Sequence, residues 1–241
     1  MNIKQQSLIE KGFYVGKVEE LVTDLDEFNQ MCDFVMNFSY TDDNWDCYYP
    51  VKPAPETPAE IKKMYYDNPE CWPSVIKMHE VEERKILQDK YKLSYDQKWY
   101  RLLNDPQPVA GVKFKYFQKL SERFIAEAYP EMDLNSAHHN NVFALYDDKD
   151  CYIDRHKDGQ TGKFCGIIIY LSPEDTWKDG GGEFLCGTDT NNNPVSDKVI
   201  PVRGNYVVLD FMRHDAWHEV LPVKNGFKRW SYLDFVREEK N

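Results

Sequence analysis

His156-Lys157-Asp158 carries two metal-capable side chains two positions apart, and a further imidazole, His218, follows sixty-two residues after the first. On an extended strand, residues two apart leave the same face, so His156 and Asp158 can reach one ion together. An imidazole from a distant strand would complete a two-histidine, one-carboxylate set, which fills one face of an octahedron and leaves the other open. That donor set suits a non-haem Fe(II) that must also bind a co-substrate and oxygen. The stretch Asp154-Arg155-His156-Lys157-Asp158-Gly159 also has the composition of a solvated charged turn, so the chemistry depends on the elements around it. His214, four residues before His218, competes with it for the distal position.

Those elements read as strands. Phe164–Leu171 is an apolar, branched run, and Gly180-Gly181-Gly182-Glu183-Phe184-Leu185 reads as a tight turn entering another strand. Pro201–Phe211 supplies one more through Tyr206-Val207-Val208-Leu209. His218-Glu219-Val220-Leu221-Pro222-Val223 then leads to a turn at Asn225-Gly226 and a last strand through Arg229-Trp230-Ser231-Tyr232.

Taken together, the order and spacing resemble the Fe(II)- and 2-oxoglutarate-dependent dioxygenases, in their prolyl 4-hydroxylase-like branch. The matching pieces are Tyr146 ten residues before the first histidine, His156-x-Asp158, Ile169-Tyr170-Leu171, Gly181-Gly182-Glu183, Pro201-x-x-Gly204, His218-Glu219-Val220-x-Pro222-Val223 and a basic residue after Gly226. The resemblance covers roughly residues 138–237. It implies a double-stranded β-helix (jelly-roll, cupin-like) core over 136–241 and says little about the first hundred residues; with the periodicity and composition of 1–135, the expected fold is mainly β with flanking α, an N-terminal helical region and an aromatic, proline-containing loop packing on the core. It also implies His156, Asp158 and His218 as the Fe(II) ligands and catalytic residues, since the Glu-Val-x-Pro-Val context selects His218 over His214. Tyr146 and Tyr170 become hydroxyl donors to the far carboxylate of 2-oxoglutarate. The implied chemistry consumes O2, decarboxylates 2-oxoglutarate to succinate and oxidises a substrate C–H, with ascorbate as an accessory reductant.

The far carboxylate also needs a cation, and two neighbours compete. Counting from His218 without gaps favours Lys228, where collagen-type prolyl hydroxylases place a lysine. Alternation favours Arg229: a two-residue hairpin at Asn225-Gly226 would pair Pro222 with Arg229 and put Arg229 on the face of His218, with Ser231 beside it. The inward set would be Arg229, Ser231, Leu233 and Phe235. A planar guanidinium also matches a carboxylate better than an ammonium does. Arg229 with Ser231 is therefore the expected grip.

Composition bounds the partners. The 241 residues carry a formal net charge of −11, which disfavours a long polyanion. A nucleobase demethylase is further disfavoured because the paired-arginine ending Arg-x-Asn-x5-Arg is missing. The first residues hold no apolar core of signal-peptide length, no stretch reaches a membrane span, and six cysteines lie without CxxC pairing, so free thiols and a cytoplasmic location are expected. Helical periodicity marks 18–38, and helices are expected at about 58–68, 74–92 and 112–128. Residues 40–58 read as a long loop whose Trp45, Tyr48 and Tyr49 either border a substrate groove or pin the loop down. His79, His138 and His139 are expected at the surface or in capping positions. The most concrete expectation for the substrate is a prolyl or other residue of a polypeptide; the alternatives are a small molecule or nucleobase, or a cupin-like module that only binds.

Overall fold

The computed structural model describes residues 1–37, 45–94, 100–103, 108–147, 151–158, 163–189, 195–212 and 215–238, the side chains of 100–103, 108–114, Lys163 and Glu238 excepted. His214 and residues 40–44 of the expected loop lie outside this set.

Eight strands form the double-stranded β-helix: β7 (Ala137–Tyr146), β8 (Ile153–His156), β9 (Lys163–Tyr170), β10 (Phe184–Thr188), β11 (Val195–Val199), β12 (Asn205–Asp210), β13 (Ala216–Val220) and β14 (Arg229–Glu238), in chain order after six earlier strands. β12, β9, β14 and β7 lie side by side in a large sheet, whereas β11, β10, β13 and β8 make a four-stranded sheet opposite. Every pair is antiparallel.

The N-terminal region is helical, with α1 (Ile3–Lys11), α2 (Leu25–Met36), α3 (Ala59–Asp67), α4 (Val81–Tyr91) and α5 (Pro108–Ala128), but it also donates strands. β1 (Phe13–Lys17) pairs with β12 at one edge of the large sheet, and β6 (Tyr100–Leu103), β2 (Trp45–Tyr48) and β4 (Val75–Lys77) extend the other beyond β7, while β3 (Lys52–Pro53) and β5 (Leu93–Ser94) pair separately. The edges of the core sheet are thus covered by its own chain, which removes an open template for aggregation. Helix starts shift for local reasons. The 18–38 periodicity yields a short 3-10 turn at Val18–Glu20, and α2 begins only at Leu25, where the Asp24 side chain caps the Glu27 amide. Within 74–92, the β-branched Val75-Ile76 pair joins the sheet and α4 follows.

Alternation sorts the large sheet into two cores. Phe143, Leu145, Ile167, Ile169, Tyr206, Val208, Trp230 and Tyr232 face Phe28, Cys32, Phe117, Leu120 and Phe124 of α2 and α5. Ala144, Tyr146, Ile168, Tyr170, Val207 and Leu209 face the small sheet. Phe117 stacks on Tyr232 at 5.3 Å and meets Phe143 edge-on at 5.4 Å, and each such buried ring contributes about 1.5–3 kcal/mol. The same parity resolves the 40–58 segment, which is partly strand. Trp45 is buried against Trp230 on the helix side, Tyr49 is buried with its hydroxyl on Gln88, and Tyr48 borders the interior cavity.

His139 differs from expectation. Its side chain is 6% exposed, and Nδ1 donates to the fully buried Asp234 carboxylate at 2.8 Å. Burial pulls its pKa down, but the bond to Asp234 and the nearby Glu122 more than offset this and hold it above the ordinary value. No helix among the described residues is long and apolar enough to cross a membrane.

Candidate active site

His156 ends β8, Asp158 lies two residues on, and His218 sits directly opposite His156 across the β8–β13 pair. The two histidines are thus neighbours in one sheet. Their rings lie 4.2 Å apart, and Asp158 reaches both, with 3.9 Å to His156 Nε2 and 3.7 Å to His218 Nε2. One ligand atom from each of the three lies within 4.8 Å of the others. Two bonds of roughly 2.0–2.2 Å to a shared ion span up to about 4.4 Å, so the carboxylate–imidazole separations suit a common centre. His156 Nδ1 donates to the Asp154 carbonyl at 2.8 Å, which fixes the tautomer and leaves the Nε2 lone pair for a metal. Phe184 stacks on the His218 ring at 5.6 Å and limits its rotation.

The triad opens into a cavity of about 400 Å³ between the sheets. At its closed end β14 begins with Arg229, 2% exposed and directly opposite Tyr146 of β7. Its Nε donates to the Gly182 carbonyl at 2.8 Å, and its guanidinium lies 4.6 Å from the Tyr146 ring centre and 5.2 Å from that of Tyr170. Among the described residues no carboxylate pairs with it. Ser231 Oγ and the Tyr170 hydroxyl are also buried and complete no hydrogen bond there. Burial drives the Tyr146 and Tyr170 pKa values above the ordinary tyrosine range despite the opposing pull of Arg229, so both remain neutral donors. Lys228, the residue before β14, is exposed and is not among the residues that line the cavity.

The expected turn exists, but it does not do what the hairpin argument required. Asn225 and Gly226 both have positive φ (55° and 70°), and the Phe227 amide bonds the Lys224 carbonyl. β13 and β14, however, belong to different sheets, so the turn carries the chain across the sandwich and Pro222 does not pair with Arg229. Arg229 faces inward because of its register with β7. The glycine run has a matching purpose. Gly182 has φ +69°, and a Cβ there would lie 2.9 Å from Arg229 Cδ, so the missing side chain lets the backbone cradle the guanidinium.

Residues 141–237 match the sequence profile of the 2OG-Fe(II) oxygenase superfamily. This core belongs to that superfamily. No curated protein matches the chain by sequence. Among solved structures, the chain is similar to a prolyl hydroxylase from Trichoplax adhaerens in complex with a hypoxia inducible factor oxygen degradation domain peptide fragment, at TM-score 0.60 and 14% identity over 99% of this chain and 89% of that one. It is also similar to an oxidoreductase of the 2OG-Fe(II) oxygenase family from Burkholderia pseudomallei, at 0.57 and 12% over 97% and 89%, and to a prolyl-4-hydroxylase from Pseudomonas putida, at 0.50 and 17% over 97% and 96%. The oxygenase superfamily implies Fe(II), 2-oxoglutarate and O2. The residues fit them: a buried cation with no counter-charge and two orphaned hydroxyls form a ready site for a dianion, across the cavity from an open His-Asp-His set.

Sequence reasoning turned Phe235 inward but missed Phe211, its partner in the wall of the oxygenase cavity near the triad. Phe211 and Phe235 stack there at 6.0 Å, and a Cβ on Gly166 would lie 2.5 Å from the Phe211 ring. That glycine inside a branched apolar strand was the available signal, because strand glycines mark close approach.

Proposed function

We propose that this oxygenase is a hydroxylase that oxidises an accessible prolyl residue of a polypeptide. His156, Asp158 and His218 hold Fe(II). Arg229 receives the far carboxylate of 2-oxoglutarate, with Ser231, Tyr170 and Tyr146 donating hydrogen bonds around it, and Lys228 takes no part. When bound, Fe(II) with 2-oxoglutarate supplies the oxidising chemistry, drawing on O2 and leaving succinate and carbon dioxide. The protein's share is positional. Asp154 keeps His156 in its ligating tautomer, Phe184 holds the His218 ring, and the Phe211–Phe235 stack excludes water beside the reacting carbon.

The observation that carries the reading is the buried guanidinium of Arg229, with no carboxylate beside it among the described residues, lining the same cavity as the triad. The fold's likeness to an oxygenase holding a peptide supports the polypeptide part. Ascorbate sustains turnover by keeping iron reduced, and six free cysteines suit a reducing, cytoplasmic setting.

The test is succinate release with Fe(II), ascorbate and 2-oxoglutarate, against proline-containing peptides, free amino acids and nucleosides, with mass spectrometry of the products. A singly oxygenated proline peptide is expected. Robust oxidation of a nucleoside alone would replace the substrate assignment, and absence of any 2-oxoglutarate consumption would leave only a binding module.

A further inference from the structure

The cavity has a second cationic pole. β14 runs along its wall, and the parity that turns Arg229 inward also turns Leu233, Phe235 and Arg237 inward. Eight residues separate the two arginines, roughly 27 Å along a strand, so they stand at opposite ends of the space. Arg229 closes the deep end. Arg237 stands at the mouth, about 7 Å along the strand from Phe235, on the side where β8 ends in His156.

Arg237 is only partly buried, yet its Nε is sealed from solvent and has no hydrogen-bond partner among the described residues. No carboxylate pairs with it there. A sealed N–H donor without a partner is costly to keep, and this one belongs to a residue that borders a cavity. Asn140 adds an uncharged donor and acceptor beside it: it sits directly opposite Phe235 on β7, exposed and also lining the cavity. The chain as a whole carries −11, which repels anions at long range, so a cation held at the entrance reverses the local field for whatever enters.

We propose that Arg237, assisted by Asn140, anchors a carboxylate on the substrate that is oxidised, one step outside the Phe211–Phe235 wall. The inference rests on the reading of this cavity as the oxygenase site and narrows its substrate to carboxylate-bearing molecules. The carboxylate has two possible sources, an acidic residue flanking the target in a peptide or the main-chain carboxylate of a free amino acid. A planar guanidinium takes either one in a two-point grip, which fixes orientation as well as position.

The test uses the full-length protein with Fe(II), ascorbate and 2-oxoglutarate, and substrates in matched pairs: prolyl peptides with Glu or Gln beside the proline, and free amino acids or their amides. Succinate release gives kcat/KM for each member. The wild type is expected to prefer the acid over its amide by about 10- to 100-fold. Arg237→Met should collapse that ratio toward one, and Arg237→Lys should retain part of it. A role limited to folding would lower both members equally and leave the ratio intact, which overturns the proposal. Equal use of acid and amide by the wild type overturns it as well, as does 2-oxoglutarate consumption that no pair stimulates. If the wild type neither binds nor consumes 2-oxoglutarate, the oxygenase reading itself fails. Whichever pair shows the preference identifies the source of the carboxylate.

Discussion

Replacing Arg229 with Met should weaken 2-oxoglutarate binding while leaving the ligand-free protein no less stable. The guanidinium is 2% exposed and keeps one neutral hydrogen bond, to the Gly182 carbonyl. It is therefore a buried charge without a counter-ion, and a nonpolar side chain of similar length removes that desolvation cost. A hydrogen bond to a charged group contributes about 1.5–3 kcal/mol, so a two-point carboxylate grip is worth roughly 3–6 kcal/mol. Ser231 and Tyr170 remain as donors, which reduces the expected loss to about 3–4 kcal/mol, or ~10²–10³-fold in dissociation constant. Thermal unfolding with increasing 2-oxoglutarate reads both effects, because a ligand at 100 times its dissociation constant stabilises by about 2.7 kcal/mol. The wild type should gain that stability, Arg229→Met should not, and Lys228→Met should match the wild type. Arg229→Met binding within threefold of the wild type, or Lys228→Met losing the ligand, would refute the reasoning.

Gly182→Ala forces a side chain into a left-handed conformation and against Arg229 Cδ at 2.9 Å; at about 1–3 kcal/mol of strain it should lower the melting temperature by several degrees and raise the KM for 2-oxoglutarate. Unchanged values of both would show that the cradle is dispensable. His139→Ala strands the buried Asp234 carboxylate and should cost about 3 kcal/mol in denaturant unfolding. Because the folded pKa of His139 is raised, its pair with Asp234 contributes fully below the ordinary value of 6.5 and is lost as pH rises through the folded value. His139→Gln should therefore flatten the stability profile in that window, and a profile of unchanged slope would exclude the pair as its source.

The β-helix and its triad were legible because their signals are local. Branched runs, a two-residue ligand spacing and glycine turns each report on a few neighbouring residues, and strand alternation fixes which of them share a face. Alternation also put Arg229 inside, although the hairpin argument for it assumed a pairing that the two-sheet topology does not make. Where partners come from far along the chain, the sequence was silent. Trp45 meets Trp230, and His139 meets Asp234 under α5, contacts that nothing in the flanking residues announces. The N-terminal strands were hidden for a related reason, since β2 and β4 are short and gain their stability from the sheet edge they extend. Arg237 required only that the inward parity of β14 be followed one step beyond Phe235.

The central claim is that His156, Asp158 and His218 hold Fe(II) with an open face for 2-oxoglutarate. Anaerobic addition of Fe(II) and 2-oxoglutarate should give the visible charge-transfer absorption of an iron-chelated 2-oxo acid in the wild type and in His214→Ala. Asp158→Ala and His218→Ala should abolish it while keeping the circular dichroism of the folded barrel. An absorption that survives His218→Ala but disappears in His214→Ala, or that never forms in the wild type, would contradict the account.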